Sequence, residues 1–283
     1  MLYFQIVWKK CVNRQTDQFF QVSEQIGRVV ALQNQVIRGL VATHARVMLH
    51  TEALLMKLKE YRKKRHFDVS PEPQGQAEPF KKKSDQLVYV VQKHRASHLH
   101  YDFRLEWNGT LLSWAVPKGP SLDPSVKRLA MKVEDHPIEY SNFEGIIPKG
   151  EYGGGTVMVW DRGTWEPEAE DVDTALRQGE LKFTLHGKKL RGSWVLVRTR
   201  GYGSRSDRSW LLIKHRDTYA SKYDITIEAP RSVVSNRLLA EIARDEGGDV
   251  EEAATGDPVT KATRRAPEKK TLPRSQRARS QKA

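Results

Sequence analysis

The chain has 283 residues, 29% of them charged, and a formal net charge of +13 at pH 7. That length is enough for one or two domains with a sizeable core, and no apolar run approaches the roughly 18–20 residues that span a bilayer. A single cysteine, Cys11, excludes an intrachain disulfide and a Cys-based zinc site and fits a reducing cytoplasm.

The charge is unevenly placed. Residues 1–65 carry 12 Lys/Arg against 4 Asp/Glu, residues 261–283 carry 9 against 1, and residues 66–260 carry 27 against 30. Basic ends around a near-neutral middle favour a polyanion, most often nucleic acid. The plainer alternative is solvating tails. The start, Met1 to Trp8, is apolar, but Lys9 and Lys10 follow it, the reverse of a signal peptide's order. Neither secretion nor membrane insertion is expected.

Residues 16–65 contain no proline, and Ile26, Val29, Val30, Ile37, Leu40, Val41, Leu54, Leu55 and Leu58 recur at loosely helical spacing. One or two helices are predicted, ending in the basic run Lys57 to Arg65. An alternative is that part of residues 1–50 comes from an upstream start codon and has no fold of its own. Pro71, Pro73, Gly75 and Pro79 then mark a linker or extended arm.

Beyond the arm the texture changes to short strands: Leu87–Gln92, Leu99–Trp107, Thr110–Val116, Leu129–Val133, Thr156–Trp160, Glu180–Leu185, Ser193–Val197 and Trp210–Ile213. Asn108-Gly109 is a two-residue hairpin signal, and Gly187-Lys188-Lys189 marks a second hairpin. Many short strands at this spacing predict an all-β antiparallel sandwich or barrel. Val172–Gly179 and Val234–Ala243 read as short helices, the second with Ser235 as N-cap. From Asp245 onward, few apolar residues and dense charge read as disorder.

One strand carries the chemistry. In Leu99–Trp107 apolar and polar residues alternate strictly, so His100, Asp102, Arg104 and Glu106 share a face opposite Tyr101, Phe103 and Leu105. His94 lies just after the preceding strand, where a turn through Arg95–Ser97 brings it over the same face. Two imidazoles and a carboxylate suit manganese, iron or zinc better than calcium and leave positions open for water and a phosphate oxygen. Arg104, inside a well-patterned strand, must be paired or functional, and bidentate phosphate recognition is a natural use. A second group is Glu134 and His136, of one parity, with Pro137 ending the strand and Tyr140 following. Its local alternative is a polar turn. Lys118, on a Pro/Gly loop, and Arg128 add positive charge. Glycines 150, 153, 154 and 155 lack P-loop spacing and read as a turn before Thr156.

Taken together, these motifs resemble the 3′-phosphoesterase domain of the bacterial DNA ligase D family. The matching stretches are Tyr61 to Arg65 with Pro71-Glu72-Pro73, Val90 to His94, Leu99 to Leu105, Ser113 to Pro120, Lys127 to Ala130, Val133 to Pro137, and Phe143-Glu144-Gly145 through Tyr152-Gly153. The resemblance runs from about Tyr61 to about Ala243. It implies a compact antiparallel β-barrel with a crescent groove for a DNA 3′ end. It also implies a manganese-dependent enzyme that removes 3′-phosphates and 3′-terminal ribonucleotides in double-strand break repair by end joining. By that resemblance His94, His100 and Asp102 are metal ligands, and Arg104, His136 and Tyr140 engage the scissile phosphate. Glu134 is an acidic residue needed for activity, while Arg65 and Glu72 belong to an arm over the groove. Lys118 and Arg128 are assigned to phosphate or DNA binding. One departure is His66, where the family usually has Asp, with Asp68 nearby as a substitute.

The expected organisation is a helical extension over residues 1–60, an arm over 61–83, the barrel with its C-terminal helix over 84–244, and a disordered basic tail over 245–283. No Lys-x-Asp-Gly nucleotidyl-transfer motif occurs, so a stand-alone phosphoesterase without ligase activity is expected. Expected partners are DNA 3′ ends and end-joining proteins such as Ku or a separate ligase, in a bacterial cytoplasm near the nucleoid. The rival reading is a non-catalytic DNA-end-binding module that recruits repair partners.

Overall fold

The computed structural model describes residues 35, 38, 41, 51–52, 54–75, 86–199 and 207–259. The chain falls into two compact units, residues 1–56 and 57–283. In the first, the described residues 35, 38, 41, 51–52 and 54–56 are helical. Most of the expected N-terminal extension, Cys11 and the basic tail lie outside the described residues.

The second unit opens with a short helix α1 (Lys59–Lys63) in the basic run. It continues with strands β1 (Leu87–Arg95), β2 (Leu99–Trp107), β3 (Thr110–Val116), β4 (Lys127–Lys132), β5 (His136–Pro137), β6 (Gly145–Ile147) and β7 (Gly155–Pro167). Helix α2 (Val172–Gln178), β8 (Glu180–Gly187), β9 (Arg191–Arg198), β10 (Ser209–Lys214) and helices α3 (Ile225–Glu228), α4 (Leu239–Asp245) and α5 (Val250–Ala254) complete it. The strand order β1-β2-β3-β4-β10-β9-β8-β7 closes on itself because β7 also pairs with β1. Every pairing is antiparallel, so the result is a closed eight-stranded barrel with β5 and β6 as appendages. Closure removes the exposed edges that an open sheet must protect.

Strict alternation decides which face is inside. Tyr89, Val91, Tyr101, Phe103, Leu105, Leu112 and Trp114 turn into the barrel, where they join one apolar core with the tryptophans of β7, β9 and β10. Trp114 meets Trp210 edge to face at 6.0 Å, and Tyr101 meets Trp160 at 5.3 Å. Side chains of the other parity point outward. On β1, β2 and β3 this outer face is covered by residues 61–73 and 133–153, with a second small core of Tyr61, Val90, Leu111, Tyr140 and Val159 beneath the cover. The β2–β3 hairpin turns through Asn108 and Gly109 at φ 48° and 82°, the two left-handed residues that a type I′ turn requires.

Three local expectations change. β1 continues through His94 to Arg95, so His94 is a strand residue and not part of a returning turn. The second C-terminal helix begins at Leu239, and Ser235 caps nothing; its hydroxyl bonds Glu144 instead. Disorder does not begin at Asp245. α5 forms there because Asp249 caps it by accepting from the Glu252 amide and Ala253 is buried. Asp257 follows, accepting from the Leu239 and Ala240 amides and lying 3.8 Å from the buried Lys93.

Candidate active site

The polar residues gather on the outer face of the barrel, under the cover. Cross-strand register does most of the assembly: Val90, Gln92 and His94 of β1 stand opposite Arg104, Asp102 and His100 of β2, and Arg104 stands opposite Ser113 of β3. Directly opposed residues on one face bring side chains to about 4.5–5.5 Å at Cβ. The two imidazoles accordingly lie 4.8 Å apart between ring centroids.

His94, His100 and Asp102 form a cluster whose ligand atoms all lie within 4.8 Å of one another. Each imidazole is oriented from behind. His94 Nε2 is 2.8 Å from the Gly153 carbonyl, and His100 Nδ1 is 3.0 Å from the His98 carbonyl. The tautomers that donate to those carbonyls leave lone pairs on His94 Nδ1 and His100 Nε2. Both lie 3.7 Å from the Asp102 carboxylate. Backbone carbonyls that fix the far ring nitrogen are the usual outer support of a histidine ligand. Burial works to raise the Asp102 carboxyl, but Arg104 and the two imidazoles outweigh it and hold it well below the usual carboxylate range. Burial lowers His100, with Asp102 opposing. Two nitrogen lone pairs and an ionised carboxylate thus converge, a donor set that fits a borderline divalent metal.

Beside this cluster lies a buried charge network. Arg104 donates to Gln92 at 3.0 Å, Ser113 at 2.8 Å and Asp102 at 3.1 Å, and its guanidinium sits 5.0 Å from the Tyr140 ring centroid. Of the expectation that this arginine is paired or functional, these neighbours supply the pairing. Arg65 reaches in from the arm and donates to Glu72 at 2.8 Å and to Glu134 at 3.3 Å. Glu72 also accepts from Tyr140 at 2.9 Å and from Ser70 at 2.8 Å. Lys64 adds a 2.9 Å bond to Glu134. Burial opposes ionisation of Glu134, and the Lys64 contact outweighs it, so its carboxyl is lowered. For Tyr140, burial and then the Glu72 charge push the phenol well above its ordinary range.

His136 stands between the two guanidiniums. Its Nδ1 lies 2.9 Å from the Glu134 carbonyl and 2.9 Å from Arg104 Nη1, and its Nε2 lies 3.2 Å from Arg65 Nη2. The consistent tautomer donates Nδ1–H to the carbonyl and accepts from Arg65 at Nε2. Burial, then Arg104 and Arg65, hold this imidazole well below the usual histidine range. It is therefore neutral at pH 7. Glu134 and His136 do not lie on one strand: residues 133–135 are irregular, and β5 is only the pair His136–Pro137 against Leu111 and Thr110.

A cavity of about 250 Å³ opens over these groups, lined among others by Arg65, His94, His100, Asp102, Arg104 and His136. Tyr140 and Glu134 line it too, while Glu72 lies behind, fully covered. Lys118 and Arg128 do not line it. Lys118 is exposed after β3, and Arg128 is half-buried on β4, two residues before the core residue Ala130. His66 is exposed and lies 3.0 Å from Glu151 rather than in the network. The sequence reading missed Gln92, Ser113, Lys64 and Gly153 as parts of the site. Gln92 carried a signal, since it shares the parity of His94 on the same strand. Gly153 contributes only its carbonyl, which no residue-type pattern reveals.

Comparison with known proteins agrees with this architecture. Residues 92–198 match the family described as the DNA ligase D 3′-phosphoesterase domain. Similar proteins include the multifunctional non-homologous end joining protein LigD of Pseudomonas aeruginosa, 54% identical over 185 residues, or 64% of this chain and 22% of that protein. The multifunctional non-homologous end joining DNA repair protein LigD of Mycobacterium tuberculosis is 46% identical over 145 residues, or 51% of this chain and 19% of that protein. LigD of Mycolicibacterium smegmatis is 42% identical over 166 residues, or 57% and 21%. The chain thus spans about a fifth of the length of the curated relatives it matches. With the matched segment covering β2 to β9 together with His94 and His100, this chain carries a domain of the DNA ligase D 3′-phosphoesterase family.

Proposed function

We propose that the chain is a metal-dependent DNA 3′-end phosphoesterase, removing 3′-phosphates and 3′-terminal ribonucleotides during double-strand break repair by end joining. The observation that carries this reading is the convergence of His94, His100 and Asp102 beside two buried guanidiniums in one cavity. His94 Nδ1, His100 Nε2 and Asp102 would hold the metal, and manganese suits that mixed set. When bound, such an ion supplies Lewis-acid polarisation of a phosphate oxygen and lowers the pKa of coordinated water.

The protein's own groups do the rest. Among the described contacts, Arg104 and Arg65 each use at most four of their five N–H groups, which leaves each a donor for a phosphate oxygen. These fixed donors stabilise charge that grows on the phosphoryl oxygens. His136, neutral and accepting from Arg65 at Nε2, holds that guanidinium in place, while Arg104 is held by Gln92, Ser113 and Asp102. A general-acid role would need an imidazolium, which the flanking arginines oppose. Glu134 and Glu72 keep Arg65 and Lys64 at the cavity edge, and Tyr140 closes it. DNA 3′ ends are the substrate in this reading. Ku or a separate ligase would act on the same ends in the cytoplasm, near the nucleoid.

The test uses a primer–template duplex bearing either one 3′-terminal ribonucleotide or a 3′-phosphate, with manganese or with chelator. Manganese-dependent product with wild type and none with His100→Ala is expected. Intact DNA binding with no product from either duplex would replace the enzyme by an end-binding module.

A further inference from the structure

A second cavity, of about 760 Å³, adjoins the metal cluster. Ala96, Ser97, Ile147 and Gly153 line both spaces, and Gly153 is the residue whose carbonyl holds His94. The two spaces differ in charge. The smaller one gathers Arg65 and Arg104 around the metal ligands. The larger is lined by Glu151, Glu246, Asp249 and Glu252 with the cations Arg95 and Lys149, and three of these carboxylates already have partners: His66 at 3.0 Å for Glu151, Arg237 at 3.3 Å for Glu246 and Arg95 at 3.6 Å for Glu252. Of these cations Arg95 is already engaged, donating to Thr255 at 2.7 Å and lying 3.6 Å from Glu252. With Arg95 engaged, the wall offers a phosphodiester backbone little positive charge, unlike the smaller cavity with its two guanidiniums. Glycines 150, 153, 154, 247 and 248 also line it, so much of the wall is backbone; of its groups the Gly153 carbonyl, the Gly154 N–H and the Gly248 N–H are engaged within the protein by His94, Glu151 and Ala243. Such a surface suits a neutral ligand rich in hydroxyl and amide groups. The volume is within the roughly 300–1,000 Å³ of small-molecule sites.

We propose that this cavity is the subsite for the 3′-terminal nucleoside, the group expelled when a terminal ribonucleotide is removed. The inference rests on the phosphoesterase reading above and adds which side of the metal the leaving nucleoside occupies. The scissile phosphate lies over Arg104 and Arg65, and the terminal sugar and base extend past Ser97 and Gly153 between the 148–154 loop and the segment after α4. A 3′-phosphate substrate has no nucleoside on that side, so the cavity serves one reaction and not the other.

The experiment fills the cavity from either wall with Lys149→Trp and, separately, Glu246→Trp, both at exposed positions. Each variant and the wild type are assayed with manganese on the two duplexes, with far-UV circular dichroism to verify folding. Saturation-transfer NMR with adenosine reads binding apart from turnover. Expected is a fall of about tenfold or more in the ratio of ribonucleoside to phosphate removal, with loss of adenosine transfer in the variants. An unchanged ratio, whether both rates persist or both fall together, overturns the assignment. Wild type inactive on both duplexes sinks the phosphoesterase reading. In that case adenosine transfer lost on filling the cavity still supports a nucleoside site, and its absence in wild type removes the site as well.

Discussion

Glu72→Gln isolates the charge that latches the arm. The glutamine side chain has nearly the shape of the native carboxylate, and its amide oxygen can still accept from Arg65 and Tyr140. Its amide nitrogen can donate to Ser70, whose hydroxyl accepts as well as donates. What disappears is the negative charge facing Arg65, a side chain only 5% exposed. Hydrogen bonds to charged groups contribute about 1.5–3 kcal/mol against about 0.5–1.5 for neutral ones. Glu134, 3.3 Å from Arg65, keeps part of the compensation. The arm should therefore loosen by about 1–2 kcal/mol, a factor of roughly 5–30 in its opening equilibrium. The barrel does not depend on this bond, so the change is local. Native-state hydrogen exchange reads it directly: the amides of Val69 and Ser70, which bond the His66 carbonyl, should exchange roughly 5–30-fold faster. Amides of β2 and β3 should keep their rates. Equal acceleration in arm and barrel, or none in the arm, would refute the latch.

Three further outcomes follow from the same contacts. Asp102→Ala should abolish manganese binding by calorimetry and also lower stability by about 3 kcal/mol in urea melts, because it removes the carboxylate paired with the buried Arg104; full stability would show that Gln92 and Ser113 suffice. His136 has a folded pKa far below its unfolded value of about 6.5, so between the two the unfolded state binds the extra proton. Its stabilisation is complete above pH 6.5 and is lost as pH falls below it, with a slope of up to about 1.4 kcal/mol per pH unit. Urea melts at pH 5, 6.5 and 8 should therefore give His136→Gln a shallower acid loss than wild type, and parallel curves would deny the neutral imidazole. Gly155→Ala should cost about 2 kcal/mol or more in thermal melts, since φ is +145° and a Cβ would overlap the Arg95 carbonyl oxygen; an unshifted midpoint would contradict the close approach of β7 to β1.

How much of this was legible in the sequence depends on the range of each interaction. β2 and β3 have the predicted bounds, because alternation and the Asn108-Gly109 turn are local signals. Parity alone also put His100, Asp102 and Arg104 on one face. β1 was cut short at Gln92 because Lys93-His94-Arg95 has no apolar residue. The strand continues because its outward His94 lies under the cover and its inward Lys93, 1% exposed, finds Asp257. That partner is 164 residues away by number, in a segment whose composition reads as disorder. The arm was illegible from pattern for the same reason. Arg65 meets Glu134 and His136 across 69 and 71 residues, and neither periodicity nor propensity extends that far. Family resemblance supplied those two residues but not their contacts with Arg65. Without the arm, Glu134 would lose Lys64 and Arg65, and His136 would lose part of its cover and the Arg65 charge, keeping only Arg104 to oppose its protonation. With it, two guanidiniums are held beside a neutral ring and an ionised Asp102. The assignment of His66 follows the same logic. Its ring turns outward to Glu151 on the 148–154 loop, which also presents Gly153 to His94. His66 thus joins the arm to the loop whose Gly153 carbonyl holds His94, and its substitution bears on loop position before it bears on the buried network.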